Sequence, residues 1–166
     1  MPLKNPHQTV PLDRYTTNLE AMIKIIRKYN ASTRILVISP PPLDCNTWGE
    51  HCVAKGRELD RSVDRTKLFR DGCIATCGSL SVPCIDTWKL FMPPGGEYNL
   101  NLAGPFLSDG LHFSSKGNEL LARALVDCIR RNWPDLDPET MQSPVKWWDK
   151  INKEDINGSL MAGNYP

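Results

Sequence analysis

The apolar run Ile35-Leu36-Val37-Ile38 limits the folds open to this chain more than any other segment. It is rich in β-branched residues and does not alternate with polar residues, which is typical of a strand covered on both faces in a parallel sheet. Three consecutive prolines, at positions 40–42, end the run because proline has no N–H to donate to a neighbouring strand. We therefore predict a short, buried strand of a parallel sheet.

Segments with helical spacing of apolar residues lie on both sides of this strand. The segment before it carries Asp13 near its start, where a helix N-terminus favours negative charge, and its apolar face is formed by Leu12, Tyr15, Leu19, Met22, Ile23 and Ile26. A second helix is predicted over 57–80, with a face formed by Leu59, Val63, Phe69, Cys73, Cys77 and Leu80. A last helix is predicted over 115–131, with Ser114 or Ser115 as its N-cap.

A second strand is predicted over 82–88, where the early Pro83 suits the start of a strand better than its middle. Strand, helix and strand in that order make a right-handed βαβ unit, so the chain is expected to have an α/β fold. We interpret Trp88 as a core aromatic residue, with a place in an acyl pocket as the alternative. Residues 89–108 are predicted to form a long loop. Since parallel sheets usually contain more than two strands, part of the sheet is unaccounted for.

Length and charge bound the organisation and the partners of the chain. Its 166 residues are the usual size of one domain, which we place at 1–133, followed by a C-terminal tail at 134–166. Twenty basic and 19 acidic residues give a net charge of +1 without a polybasic tract, so neither nucleic acid nor a membrane surface is an expected partner. Without an apolar run of roughly 18 residues or a signal-like N-terminus, the chain is expected to be cytoplasmic.

Six cysteines invite a disulfide interpretation, but most of them lie where cysteine behaves as a small apolar residue. Cys73 and Cys77 share a helical face, and Cys84 and Cys128 lie in apolar runs, so we predict reduced core thiols. Cys45 and Cys52 lie in the segment CNTWGEHC, which we interpret as a loop where the two are free to pair. With His51 that loop resembles a metal cluster, but it lacks a second ligand pair at zinc spacing.

The sharpest local feature is an Asp-x-x-His pair, Asp109 and His112, placed after the second predicted strand and immediately before the last helix. A carboxylate three residues before a histidine, across a turn that contains Gly110, can accept a hydrogen bond from one ring nitrogen and leave the other for proton transfer. This is the Asp-His half of a Ser-His-Asp triad. The alternative is structural, with the aspartate capping a turn and the histidine packed beside it.

The string DGLHFSSKGN, followed by an amphipathic helix, closely resembles the last sequence block of SGNH (GDSL-type) ester hydrolases. The segments RILVISPPPLD, PLDRYTTNLEAMIKII, IDTWKLF and WWDKI are similar to the isoamyl acetate-hydrolysing branch of that family. The resemblance implies part of a flavodoxin-like, three-layer α/β/α sandwich with a parallel sheet. It also implies hydrolysis of small, acetate-type esters without a metal or organic cofactor, with Asp109 and His112 as catalytic residues.

The Gly-Asp-Ser and Gly-x-Asn-Asp blocks, which supply the nucleophile and the oxyanion hole in that family, have no match here. Ser39, Ser108 and Ser114 are poor substitutes, which we interpret as a buried strand position, a turn residue and an N-cap. The leading hypothesis is therefore a portion of an active esterase. A non-catalytic binding module and an unrelated α/β interaction domain are the alternatives. For a partial sheet we also expect an unpaired edge over residues 35–39 and self-association through it.

Overall fold

The first helix of the computed structural model, which describes residues 10–141 and 148–161, confirms the periodicity of the N-terminal segment. Helix α1 spans Leu12–Tyr29 and buries Leu19 and Ile23. Met22 and Ile26, which were predicted to lie on the same apolar face, are 55% and 38% exposed. One side of α1 packs against helix α3 (Val63–Ser79), and the other carries apolar side chains into solvent.

The two predicted strands form one parallel pair, which confirms the α/β class. Strand β1 is Val37–Ile38 and β2 is Cys84–Ile85, with Val37 opposite Cys84. Hydrogen bonds from the Val37 and Ser39 N–H groups to Pro83 and Ile85, both 3.0 Å, extend the pairing at its ends. Full burial of β1 was wrong, because Ile38 is 41% exposed. Within residues 10–141 and 148–161, no strand pairs with the second edge of β1.

The segment CNTWGEHC, interpreted as a loop, is instead helix α2 (Cys45–Ala54). The Asp44 side chain begins it by accepting hydrogen bonds from the N–H groups of Asn46 and Thr47, at 2.9 and 3.1 Å. One helical face buries Trp48 and Cys52. All six cysteines are free thiols, and the burial of Cys52 places it in the core rather than in an open loop.

Helix α3 begins at Val63, six residues after the predicted start, because the Ser62 hydroxyl caps it by accepting a hydrogen bond from Arg65 N–H. Strand β2 ends earlier than predicted, because Asp86 caps helix α4 (Thr87–Phe91). Trp88 therefore lies on a helix, where it is fully buried and its Nε1–H donates to the Pro40 carbonyl at 3.2 Å. The interpretation of Trp88 as a core residue is confirmed.

The predicted loop over 89–108 contains helix α5 (Leu100–Ala103) and a 3-10 turn (Gly104–Phe106). Helix α6 spans Ser115–Asn132, as the periodicity predicted. Buried apolar residues form three clusters, at Leu19, Ile23, Cys73, Cys77 and Val82, at Trp88, Phe91, Met92, Ala103 and Leu107, and at Leu43, Trp48 and Cys52. The second and third clusters flank the loop that carries Asp109 and His112.

The described residues divide into two compact units between Cys128 and Ile129. The second unit contains 3-10 turns at Pro134–Leu136 and Trp148–Lys150 and helix α7 (Ile156–Met161). Within this unit, an ion pair of 3.0 Å joins Arg130, near the end of α6, to Asp137, just after the first turn. Trp147 lies outside the described residues. Among the described helices, none has the length and apolar character that a membrane crossing requires.

Candidate active site

Asp109 and His112 lie in a tight loop whose ends are held together by the main chain. Leu107 and Phe113 form an antiparallel bridge, and the Ser108 N–H donates to the His112 carbonyl at 2.8 Å. Inside the loop, Asp109 Oδ1 accepts hydrogen bonds from the N–H groups of Leu111 and His112, at 3.0 and 2.8 Å. The aspartate therefore fixes the loop backbone with one of its carboxylate oxygens.

The second oxygen of Asp109 holds the histidine ring. Oδ2 lies 2.7 Å from His112 Nδ1, with 21% of the aspartate side chain and 69% of the histidine side chain exposed. Burial alone would raise the pKa of Asp109, but hydrogen bonds from the N–H and ring of His112 and from the Leu111 N–H outweigh it and hold the pKa at about 2. The carboxylate is therefore ionised at neutral pH and can only accept, so Nδ1 donates its proton to it, and in the neutral ring this leaves the lone pair on Nε2.

Gly110 fits this loop against the start of α2. Its φ of +87° lies in the left-handed region, and its carbonyl accepts a hydrogen bond from the Asp44 N–H at 2.9 Å. A Cβ atom at this position would lie 2.5 Å from the Trp48 backbone nitrogen and 2.6 Å from the Asp44 carbonyl oxygen. Only glycine allows both the conformation and the close approach.

Trp48 is the main side-chain contact of the loop outside its own residues. Its buried indole meets the His112 ring edge-on, with centroids 6.0 Å apart, and stacks with His51 at 5.1 Å. Its Nε1–H donates to Asp60 Oδ1 at 3.1 Å. Trp48 was not predicted to contact His112, because the segment that carries it was interpreted as a loop. Asp44 followed by Trp48 and Cys52 at helical spacing is the signal that would have identified a capped, half-buried helix.

The three serines considered as substitutes for a nucleophile all make structural hydrogen bonds. Ser39 Oγ lies 3.0 Å from Thr87 Oγ1 and accepts from the Thr87 N–H, and Ser39 is buried. Ser108 Oγ donates to the His112 carbonyl at 3.2 Å. Ser114 caps α6, where its Oγ accepts from the Gly117 N–H at 3.1 Å. The predicted buried, turn and N-cap roles of these serines are confirmed.

A cavity of about 330 Å³ opens beside Leu111, the residue between Gly110 and His112. Leu43, Tyr15 and Phe69 contribute apolar walls, and Asp60, Arg61 and Arg65 contribute charges of both signs. Trp88 is not among its lining residues, so the alternative role of Trp88 in an acyl pocket finds no support at this cavity.

The chain is similar in sequence, over most of its length, to proteins named as isoamyl acetate-hydrolyzing esterases or their homologs. The mouse isoamyl acetate-hydrolyzing esterase 1 homolog is 30% identical over 166 residues, which cover 98% of this chain and 62% of that protein. The isoamyl acetate-hydrolyzing esterase of Saccharomyces cerevisiae is 27% identical, over 90% of this chain and 61% of that protein. The chain thus spans about three fifths of the length of the curated relatives it matches.

The fold comparison agrees with the sequence comparison. The crystal structure of a lipase/acylhydrolase from Enterococcus faecalis matches with a TM-score of 0.56 and 25% identity, over 76% of this chain and 55% of that one. The esterase domain of a zebrafish retrotransposon ORF1 protein matches with a TM-score of 0.53 and 19% identity, over 76% and 64% of the two chains. The model of the GDSL-like lipase/acylhydrolase family matches residues 2–125, and the chain belongs to that family.

Proposed function

We propose that this chain contributes the Asp-His half of an ester-hydrolysing site, with His112 as general base and general acid and Asp109 as the residue that orients it. The observation that carries the proposal is the 2.7 Å contact between Asp109 Oδ2 and His112 Nδ1, in a member of an acylhydrolase family. An ionised carboxylate on Nδ1 leaves Nε2 as the proton acceptor, which is the protonation state that a general base requires.

In this proposal, Nε2 takes the proton of a serine hydroxyl while the serine oxygen attacks the ester carbonyl. The charge of Asp109 stabilises the imidazolium that forms. The same proton then passes to the departing alkoxide, leaving an acyl-enzyme that water hydrolyses by the reverse sequence of transfers. Because Ser39, Ser108 and Ser114 are engaged elsewhere, we place the nucleophile and the oxyanion donors on a segment outside this chain.

The free edge of β1 is the place we propose for that segment. A strand added beside β1 would widen the sheet at this edge. Its carboxyl end would then lie near the residues that follow β1, Pro40 and Leu43, which line the cavity next to the loop of His112. An unpaired edge of this kind also accepts a second copy of the same chain, so self-association is the competing use of the surface. We propose a cytoplasmic location, in keeping with six free thiols.

Small carboxylic esters of the acetate type are the proposed substrates. The names of the mouse and yeast relatives give this class, and the cavity volume of about 330 Å³ lies at the small end of ligand pockets, which span roughly 300–1,000 Å³. Most of the cavity lining is apolar or aromatic, including Leu43, Phe69 and Leu111, which suits an acyl or alkyl chain.

The proposal is tested with a chimera that joins residues 10–133 of this chain to the part of the yeast relative that this chain does not match. Hydrolysis of isoamyl acetate and of a chromogenic acetate ester is measured for the chimera, its His112→Ala and Asp109→Asn variants, and the chain alone. We expect turnover by the chimera, a loss of at least a thousandfold in His112→Ala, and no His112-dependent turnover by the chain alone.

His51→Ala is the matched control, since His51 is a second histidine that packs against Trp48 but lies on α2, outside the loop of Asp109. It should retain activity within a few-fold. A folded chimera whose turnover is the same with and without His112 would refute the role of His112. A folded chimera without any turnover would favour the alternative of a non-catalytic binding module.

A further inference from the structure

Three cysteine sulfurs meet in the core of the first unit, away from the loop of Asp109 and His112. Cys73 and Cys77 lie one turn apart on the inner face of α3, and Cys84 begins β2. Their Sγ atoms all lie within 4.8 Å of one another. Cys73 and Cys77 are fully buried, whereas Cys84 is half-buried and gives the cluster a side towards the surface.

A fourth polar group, the hydroxyl of Tyr15, lies at the same cluster. Tyr15, carried by α1, packs against the core cluster that contains Cys73 and Cys77, and its hydroxyl lies near the Cys73 thiol. The groups around these four are apolar, with Leu19, Ile23 and Val82 in the same core cluster. Three thiols and one hydroxyl therefore converge from α1, α3 and β2 in an otherwise apolar region.

We propose that Cys73, Cys77 and Cys84 bind a zinc ion as three thiolate ligands, with the Tyr15 hydroxyl positioned beside the fourth place. Zinc–sulfur bonds of about 2.3 Å put the sulfurs of a tetrahedral site roughly 3.8 Å apart, so the cluster needs to contract by less than about 1 Å. Soft thiolates select zinc over harder ions such as Mg²⁺ and Ca²⁺. Three thiolates on a divalent ion leave a single negative charge, which is less costly to bury than the two left by a monovalent ion.

The proposed ion has a structural task, because its three ligands belong to two elements, α3 and β2. The sheet consists of two residue pairs, and α3 contacts β2 over a short stretch. Bonds from one ion to Cys73, Cys77 and Cys84 would fasten β2 to α3 and keep Asp86, which follows β2, beside Arg70 of α3. This site differs from the Cys45, His51 and Cys52 set considered in the sequence analysis, which lies on α2.

The test is titration of the purified, reduced chain with Zn²⁺ in competition with a chromogenic chelator, together with Co²⁺ binding followed by its sulfur-to-metal charge-transfer absorption. We expect one ion per chain, a thiolate band with Co²⁺, and a higher melting temperature with Zn²⁺. Cys84→Ser should weaken binding at least tenfold and abolish the rise in melting temperature. Cys84 is chosen because its partial exposure makes the serine tolerable.

Cys52→Ser is the matched control, since Cys52 is a buried thiol outside the cluster, and it should bind Zn²⁺ as the unchanged chain does. No binding by the folded, reduced chain, or equal affinity in Cys84→Ser, would overturn the proposal and leave the three thiols as packing residues. Tyr15→Phe tests the contribution of the hydroxyl alone. We expect it to lower the affinity for Zn²⁺ by tenfold or less and to keep the thiolate band with Co²⁺. Metal affinity, Co²⁺ absorption and melting temperature do not depend on ester hydrolysis, so their outcome is independent of the proposed function.

Discussion

Replacing Asp109 by asparagine tests the charge of the carboxylate while keeping an oxygen for the N–H groups of Leu111 and His112. The folded pKa of about 2 lies below the value near 3.9 of an unfolded aspartate, so ionisation favours the folded state. With about 1.4 kcal/mol per pKa unit, the charge contributes roughly 2.5 kcal/mol to the free energy of unfolding. The contribution is complete above about pH 5, falls to roughly half near pH 3, and is lost as the pH passes below about 2.

The assay is urea unfolding followed by tryptophan fluorescence, for the unchanged chain and Asp109→Asn, at pH 5.5 and pH 3. We expect the variant to be less stable by roughly 2.5 kcal/mol at pH 5.5 and by roughly 1.3 kcal/mol at pH 3. Asp127→Asn, an exposed position on α6, is the control and should change stability by less than about 0.5 kcal/mol at both pH values. A difference between Asp109→Asn and the unchanged chain that is the same at both pH values would refute the electrostatic argument.

Three further substitutions test contacts around the site. Gly110→Ala should destabilise the chain by about 3 kcal/mol in urea unfolding, because it combines a left-handed φ with a clash against α2; a loss below about 1 kcal/mol would contradict that reasoning. Asp86→Ala should cost about 3 kcal/mol in the same assay, since it removes the carboxylate that holds Nε and Nη2 of the partly buried Arg70, leaving Arg70 paired with Asp71, and also removes the cap of α4; a neutral result would show that water replaces both. Trp48→Leu should speed amide hydrogen exchange at His112 at least tenfold more than at Cys128 of α6, and equal acceleration would mean a global effect.

Helices with clear apolar periodicity were predictable from the sequence. Apolar spacing located α1 and α6, and Ser114 marked the start of α6 as expected. The start of α3 was predicted wrongly, because Leu59 continues the helical spacing of apolar residues into an irregular segment that precedes the cap at Ser62. The prediction of a fully buried β1 was wrong. An apolar run shows that a strand is able to lie in a core, but its burial also depends on the strands and helices that pack against it.

The candidate site divides in the same way between local and long-range contacts. Asp109 and His112 are three residues apart, so their contact follows from the turn between them and was predictable. The contact of Trp48 with His112 joins residues more than sixty positions apart, and no local pattern encodes such a pair. The end of β2 was missed for a local reason, since Asp86 was included in the strand although it caps the helix that follows.

The closed loop from Leu107 to Phe113 has a consequence for the order in which the molecule folds. Its hydrogen bonds join residues two to four positions apart, whereas β1 and β2 pair across a separation of 47 residues, Val37 to Cys84. Short loops close at little entropic cost and long ones at more, so the turn that holds the histidine ring can form before the sheet does. The loop that carries the proposed catalytic pair would then form early in folding, and the sheet that supports it would form later.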